Sequence, residues 1–214
     1  MPKICLTKNK MFTVTRIYKD ENSNEVTVVC NGESYRITVF DFEALKLEEG
    51  AEIDEETLDH LTSSVERLSC IKKAFDFLSY GDLSEKQLRD KLCRKFSKEL
   101  SADVASLFVE RGYVNDNELA KRYAETFYEF KNMGIGRIRN ELYKRGISKE
   151  DIDDAVFQYS ELDQSERIEA FITRKYDMSR IDDIKYKQKV YTGAIRAGFS
   201  SSDIVDVIRK FESE

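Results

Sequence analysis

Gly146-Ile147-Ser148-Lys149-Glu150-Asp151-Ile152 and, 52 residues later, Gly198-Phe199-Ser200-Ser201-Ser202-Asp203-Ile204 carry one pattern: glycine, apolar residue, serine, two variable positions, aspartate, isoleucine. A glycine just past a helix supplies the positive φ that closes it. The serine offers an oxygen to the first free N–H groups of the next helix. The aspartate meets the positive end of that helix's dipole, and the isoleucine opens its apolar stripe. Each stretch therefore ends one helix and starts another. Asp103-Val104, 48 residues before Asp151-Ile152, is read as the corresponding step of an earlier copy, in which Lys95-Phe96-Ser97-Lys98-Glu99-Leu100 replaces the Gly-apolar step.

Outward from these junctions the apolar period is 3.6 from about Asp54 to the end of the chain. In the first copy Ile71, Ala74, Phe75 and Leu78 form a stripe that closes at Tyr80-Gly81. Ser84 and Gln87 form a capping box, Leu88, Leu92 and Phe96 give the middle helix its stripe, and Ser101 caps a third helix that Gly112 ends. Val104, Leu107, Phe108 and Val109 are expected to pack inward in that helix. Leu119, Tyr123, Ala124 and Phe127, then Ile135, Ile138 and Leu142, repeat the scheme, and Ile168, Phe171 and Ile172 open it a third time. The expected fold is mostly α: three tandem three-helix repeats, 57–113, 114–161 and 162–214, in an elongated curved array.

The first 56 residues read differently. Met11–Tyr18, Val26–Cys30 and Ser34–Val39 are β-branched and aromatic, and Asn31-Gly32 is a two-residue hairpin turn. The loop Asp20–Asn24 separates the first two runs. A β-hairpin or three-stranded unit is predicted, followed by a short helix, Asp41–Leu47, that Gly50 ends.

Composition removes many function classes. One Pro and nine Gly among 214 residues, with 36% charged, suit helices with narrow apolar stripes rather than a sandwich or a nucleotide-binding α/β fold. No membrane span or signal peptide is expected, since no apolar run of that kind occurs, and a cytoplasmic location is expected. Cys5, Cys30, Cys70 and Cys93 form no Cys-x-x-Cys pair, so four reduced thiols are expected. His60, in an acidic stretch, is the only histidine and is expected at the surface or at a boundary, which leaves no triad and no histidine metal site. Phosphate loops and nucleophile elbows are absent, and Met133-Gly134-Ile135-Gly136 reads as a turn. Glu150, Asp151, Asp153 and Asp154 hold enough oxygens for a metal, but at a helix start they answer the helix dipole. No cofactor, no metal and no catalysis are predicted.

Charge is unevenly laid out. Residues 1–65 carry 7 basic against 13 acidic side chains, and the remainder balances. Within the balanced part Lys86–Lys98 holds six basic residues against Asp90, Lys131–Lys149 six against Glu141, and Arg174–Arg196 is again basic. Such stretches are either solvated helix faces or a row of basic helices for a partner. Arg137, Lys144 and Arg145 fall within about 100° of one another on a helix. Glu141 shares that face, and Tyr143 is the aromatic most expected to be exposed; Tyr123 and Phe127 belong to the core.

These motifs in order resemble the RecX family of bacterial recombination regulators. The residues that carry the likeness are Ala74-Phe75-Asp76-Phe77-Leu78-Ser79-Tyr80, Ser84–Leu92, Gly112-Tyr113-Val114-Asn115-Asp116 running into Leu119-Ala120, and Arg137–Leu142 with Gly146-Ile147-Ser148. The likeness covers Ser69–Val156, extends more loosely into the third repeat, and takes in the strands as an extension. Two departures stand out: the family's usual Pro is absent at Ile135 or Gly136, and Lys-Gly-Phe-Ser is absent before the third helix of the first repeat. The resemblance implies a non-enzymatic protein that binds RecA and its filament on single-stranded DNA, limiting recombinase, ATPase and coprotease activity in DNA repair and the SOS response; a monomer is expected. Candidate contacts to the filament or to DNA phosphates are Lys86, Arg89, Arg94 and Lys95; Arg137, Tyr143, Lys144 and Arg145; and Lys185, Lys187 and Lys189. A direct DNA-binding helical repeat protein is the alternative, with an overall charge of −6 against it.

Overall fold

The computed structural model describes residues 10–19 and 23–212. Cys5 and loop residues Asp20–Asn22 lie outside the described residues. The described chain is mostly helical with a small antiparallel sheet near its start. It packs as two compact units, Met1–Tyr80 with Lys91–Val104 and Gly81–Asp90 with Ala105–Glu214.

In the first unit β1 (Phe12–Lys19), β2 (Glu25–Cys30), β3 (Glu33–Thr38) and β4 (Glu52–Ile53) form one sheet in the order β3-β2-β1-β4. Asn31 and Gly32 both take positive φ, so the hairpin closes with Cys30 opposite Glu33. The fourth strand corrects the expected three. It is two residues long, too short for an alternating pattern, and it is fixed by main-chain bonds of Val14 N–H to Ala51 O (2.9 Å) and Gly50 N–H to Val14 O (2.8 Å). The short helix α1 spans Val39–Leu45 rather than Asp41–Leu47. Thr38 caps it by accepting from Asp41 N–H, and Lys46 in the left-handed region ends it. Gly50 instead serves the turn into β4. Val14, Val28, Ile37 and Phe42 pack here with Leu61 of α2 (Glu55–Ser79), the helix that Asp54 caps.

Among the described residues eight more helices follow: α3 (Glu85–Leu92), α4 (Lys98–Glu110), α5 (Asp116–Glu125), α6 (Ile135–Lys144), α7 (Lys149–Ser160), α8 (Ser165–Lys175), α9 (Ile184–Ala197) and α10 (Ser201–Glu212). A π-helical turn, Thr126–Phe130, continues α5, and a 3₁₀ turn, Met178–Arg180, precedes α9. The second unit has two apolar clusters. One draws on α5 to α7, with Ile138, Leu142 and Val156 fully buried; the other draws on α8 to α10, with Ile168, Ile172 and Ile204 fully buried.

The repeated junctions do what their residues require. Gly146 and Gly198 have positive φ, and Ser148 and Ser200 accept from Asp151 N–H (3.1 Å) and Asp203 N–H (3.2 Å). Ile152 and Ile204 are buried behind them. The first copy needs correcting: Ser97, not Ser101, caps α4, by accepting from Leu100 N–H at 3.2 Å. Ser97, Ser148 and Ser200 are 51 and 52 residues apart, so Leu100-Ser101, not Asp103-Val104, matches Asp151-Ile152. Ser101 thus stands where the later copies bury an isoleucine, and among the described residues its buried Oγ has no hydrogen-bond partner.

Two apolar assignments also change. Phe75 is 44% exposed and Val109 40% exposed, while Leu68, Cys70 and Ala74 form the buried side of α2. Cys30 and Cys70 are buried and unbridged, and burial pushes the Cys70 thiol up to about 11. His60 is exposed. No helix among the described residues is long and apolar enough to cross a membrane.

Candidate functional site

The end of α9 docks on the start of α6. Gly134 N–H donates to Ala197 O at 2.9 Å, and Gly136 N–H donates to Gly198 O at 2.9 Å. A helix start has N–H groups without intrahelical partners and a helix end has such carbonyls, so each satisfies the other here and the two dipoles meet head to tail. Main chain approaches main chain too closely for side chains. A methyl group at Gly134 would collide with the Gly198 carbonyl, and one at Gly198 would collide with Arg137 N. Met133–Gly136, read from sequence as a turn, is therefore half of a docking seam.

Above the seam lies a groove of about 410 Å³ whose cations are Arg137 and Lys144 from α6 and Arg196 from α9, with Asn140, Ile195 and Phe199 also lining it. Glu141 is in the lining too and bonds Lys144 Nζ at 3.2 Å. That bond, with Arg145 nearby, holds the Glu141 carboxyl below its ordinary value. Arg145 does not line the groove. Its Nη1 donates to Glu141 O at 2.7 Å, and its guanidinium stands 4.7 Å over the Tyr123 ring and 5.2 Å over Phe127. The helical trio expected from sequence is thus a pair plus a packing residue. Arg139 is tied to Asp153, and Tyr143 is 72% exposed.

A second groove, about 440 Å³, runs along α9 between Lys175 and Arg196, past Lys185 and Lys189. Arg196 lines both grooves, which links the α6 cations to those of α9. Lys187 is not in this lining and pairs with Glu212. The candidate contacts read from sequence omit Arg196 and Lys175. A signal for Arg196 exists in the chain, since residues 185, 189 and 196 share a helix face.

Lys86 and Arg89 belong to the same unit. The stem of Lys86 fills the space over Gly146, and Ser84 Oγ donates to Arg145 O, fastening the start of α3 to the end of α6. Arg94 and Lys95 belong to the other unit and are exposed, with Lys95 5.6 Å over the Phe96 ring. The aspartates of α7 are engaged. Asn117 Nδ2 donates to Asp151 and Asp154 at 3.1 Å each, and Lys121 pairs with Asp154 at 3.0 Å. Among the described residues no cluster of His, Cys, Asp and Glu could hold a metal ion. The two grooves offer fixed cations, amides and hydroxyls, a donor set for anions.

Residues 115–156 match the family model described as RecX, second three-helix domain. A regulatory protein RecX of Caldanaerobacter subterraneus subsp. tengcongensis is 34% identical over 184 residues, covering 84% of this chain and 91% of the relative. The chain belongs to the RecX family. A RecX regulatory protein of Clostridioides difficile strain 630 is 26% identical over 94% of this chain and 96% of its own. The fold agrees with a crystal structure of a regulatory protein RecX, with a TM-score of 0.77 at 22% identity over 92% of this chain and 98% of that one. A RecX structure from Lactobacillus salivarius gives 0.59 at 21% identity, over 69% of this chain and 97% of that one. The RecX relatives are named as regulatory proteins, and both grooves lie in the unit that contains the matched domain.

Proposed function

We propose that this chain binds RecA and RecA filaments on single-stranded DNA and restrains their recombinase, ATPase and coprotease activities in DNA repair and the SOS response. It does so as a cytoplasmic monomer and without catalysis of its own. The observation that carries the reading is the groove over the glycine seam, in a chain of the RecX family: Arg137, Lys144 and Arg196 come from two successive helical layers and converge on one place. An acidic ridge on a protein filament suits this groove, because Ile195 and Phe199 give it an apolar side that a bare phosphate chain would not use. Lys86, Arg89, Arg94, Lys95 and Tyr143 are further proposed contacts. Several weak contacts to neighbouring protomers of a polymer combine through effective concentration.

The test is DNA-dependent ATP hydrolysis by RecA, titrated with this protein beside a control without RecA. Inhibition is expected. Full inhibition well below one protein per RecA identifies action on filament ends or growth, and inhibition only near equivalence identifies coating of the filament. Unchanged hydrolysis at every ratio would overturn the reading.

A further inference from the structure

The layer of α5 to α7 and the layer of α8 to α10 are joined by polar contacts rather than by a common core. Each has its own apolar cluster, and among the described residues the two clusters share no member. The chain passes between the layers through Glu161–Gln164, whose first three residues are exposed. What fastens one layer to the other is the main chain of the glycine seam together with Arg167 of α8 and Gln164 just before it.

Arg167 reaches across to the connection between α5 and α6. Its Nη2 donates to Tyr128 O at 2.8 Å, inside the π-helical turn, and to Met133 O at 3.5 Å, the carbonyl just before Gly134. Its guanidinium lies 3.6 Å over the Tyr128 ring, on which Tyr159 also stacks at 4.2 Å. Gln164 Nε2 donates to the Tyr128 hydroxyl at 3.1 Å. A planar fork that meets two carbonyls while stacked on a ring is a geometry arginine provides and lysine does not. Arg167 lines neither groove, so its charge works inside the joint. Closure also carries a cost, because Gln164 Oε1 and Arg167 Nε are buried without a hydrogen-bond partner among the described residues.

A small polar interface between two separately cored bodies opens more readily than either body unfolds. In an open joint the Gly134 and Gly136 N–H groups lose their partners, because a helix start has none of its own. Arg196 then parts from Arg137 and Lys144. We infer that Arg167 is a latch: it positions the α8 to α10 layer on the α5 to α7 layer, the joint opens and closes while both cores stay folded, and the groove over the seam exists only when the joint is closed. The bearing of closure on RecA rests on the function proposed above; the latch itself does not.

The experiment is amide hydrogen exchange of the full chain, followed by NMR, with Gly134 and Gly136 reporting the joint and the buried Val190 and Ile208 reporting the α8 to α10 core. In the parent the two glycines should exchange faster than the core pair by roughly tenfold or more. Arg167→Lys keeps the charge but not the fork, and it should speed the two glycines by about another tenfold. Ile172→Val removes one methyl group from the fully buried side of α8. It should speed Val190 and Ile208 about fivefold and leave the glycines at the parent's rate, because the core is intact in the open joint. Glycines that exchange in step with the core, that follow Ile172→Val, or that ignore Arg167→Lys would overturn the latch. RecA inhibition by Arg167→Lys should be weaker than the parent's although no charge is lost; inhibition kept while the glycines exchange faster would overturn the link from closure to the groove. A parent that does not inhibit RecA would overturn the RecA reading alone, and exchange would still decide the latch.

Discussion

The helices α6 and α9 are both rich in basic residues, and they engage their charge within the fold to different degrees. On α6 and its C-cap, Arg139 is tied to Asp153, Lys144 to Glu141, and Arg145 to a carbonyl and two rings. On α9 Lys187 pairs with Glu212 and Lys189 stands 5.7 Å over the Tyr186 ring, while Lys185, Lys189 and Arg196 have no ion pair among the described residues. Two stretches that read alike thus differ in what they can offer a partner. A basic run is a binding face only to the extent that its own fold has not already neutralised it.

The most severe way to break the comparison is at the seam. Gly198→Ala combines a positive φ with a main-chain collision, so a loss of about 3 kcal/mol is expected, or roughly 6–12 °C in melting temperature. The groove shared by α6 and α9 should go with it, seen as weaker RecA inhibition. A melt equal to the parent's would show that the seam does not hold the two layers.

A smaller effect separates neighbours on α6. Arg145→Ala should cost about 1–2 kcal/mol, because it removes a stacked guanidinium and its bond to Glu141 O. Lys144→Ala should change stability by less than about 0.5 kcal/mol, as for other exposed pairs, yet weaken RecA inhibition more than Arg145→Ala does at a temperature where both are folded. Equal effects of the two on inhibition would contradict the division between packing and contact.

The smallest effect concerns Glu141. Its folded carboxyl sits below the ordinary 4.5, first through Lys144 and then through Arg145. The folded state therefore gains stability from its ionised form, a gain present above about 4.5 and lost as pH falls through the lower folded value. Glu141→Gln should lower the melting temperature slightly at neutral pH, with the difference shrinking below about pH 4.5. A difference constant with pH would show that Glu141 contributes shape rather than charge.

Much of this is legible in the chain. Asn31-Gly32, the Ser84–Gln87 box and the paired glycine junctions are local devices, and local chemistry decides them. The features that escape are those settled at a distance. Gly134 meets Gly198 across 64 residues, through main-chain atoms that leave no side-chain pattern. Phe75 has the right helical spacing for the core, but packing places Cys70 and Ala74 there instead. Ser101 has the chemistry of a cap, but Ser97, four residues earlier, has the same chemistry and holds the position. For the candidate site, the sequence displays the cations but not their partners. Arg145 reads as surface until its rings are in view, and Arg196 joins two grooves only once α9 has met α6.

The joint between α9 and α6 has a consequence for protein engineering. It consists of two N–H···O bonds and small residues, so it places almost no demand on side-chain identity. A coupling of that kind is portable: layers from different sequences can be spliced across it, provided each brings glycine to the meeting points. The α6 layer can then be exchanged while α9 stays in place, which makes the molecule a chassis for recombining helical layers.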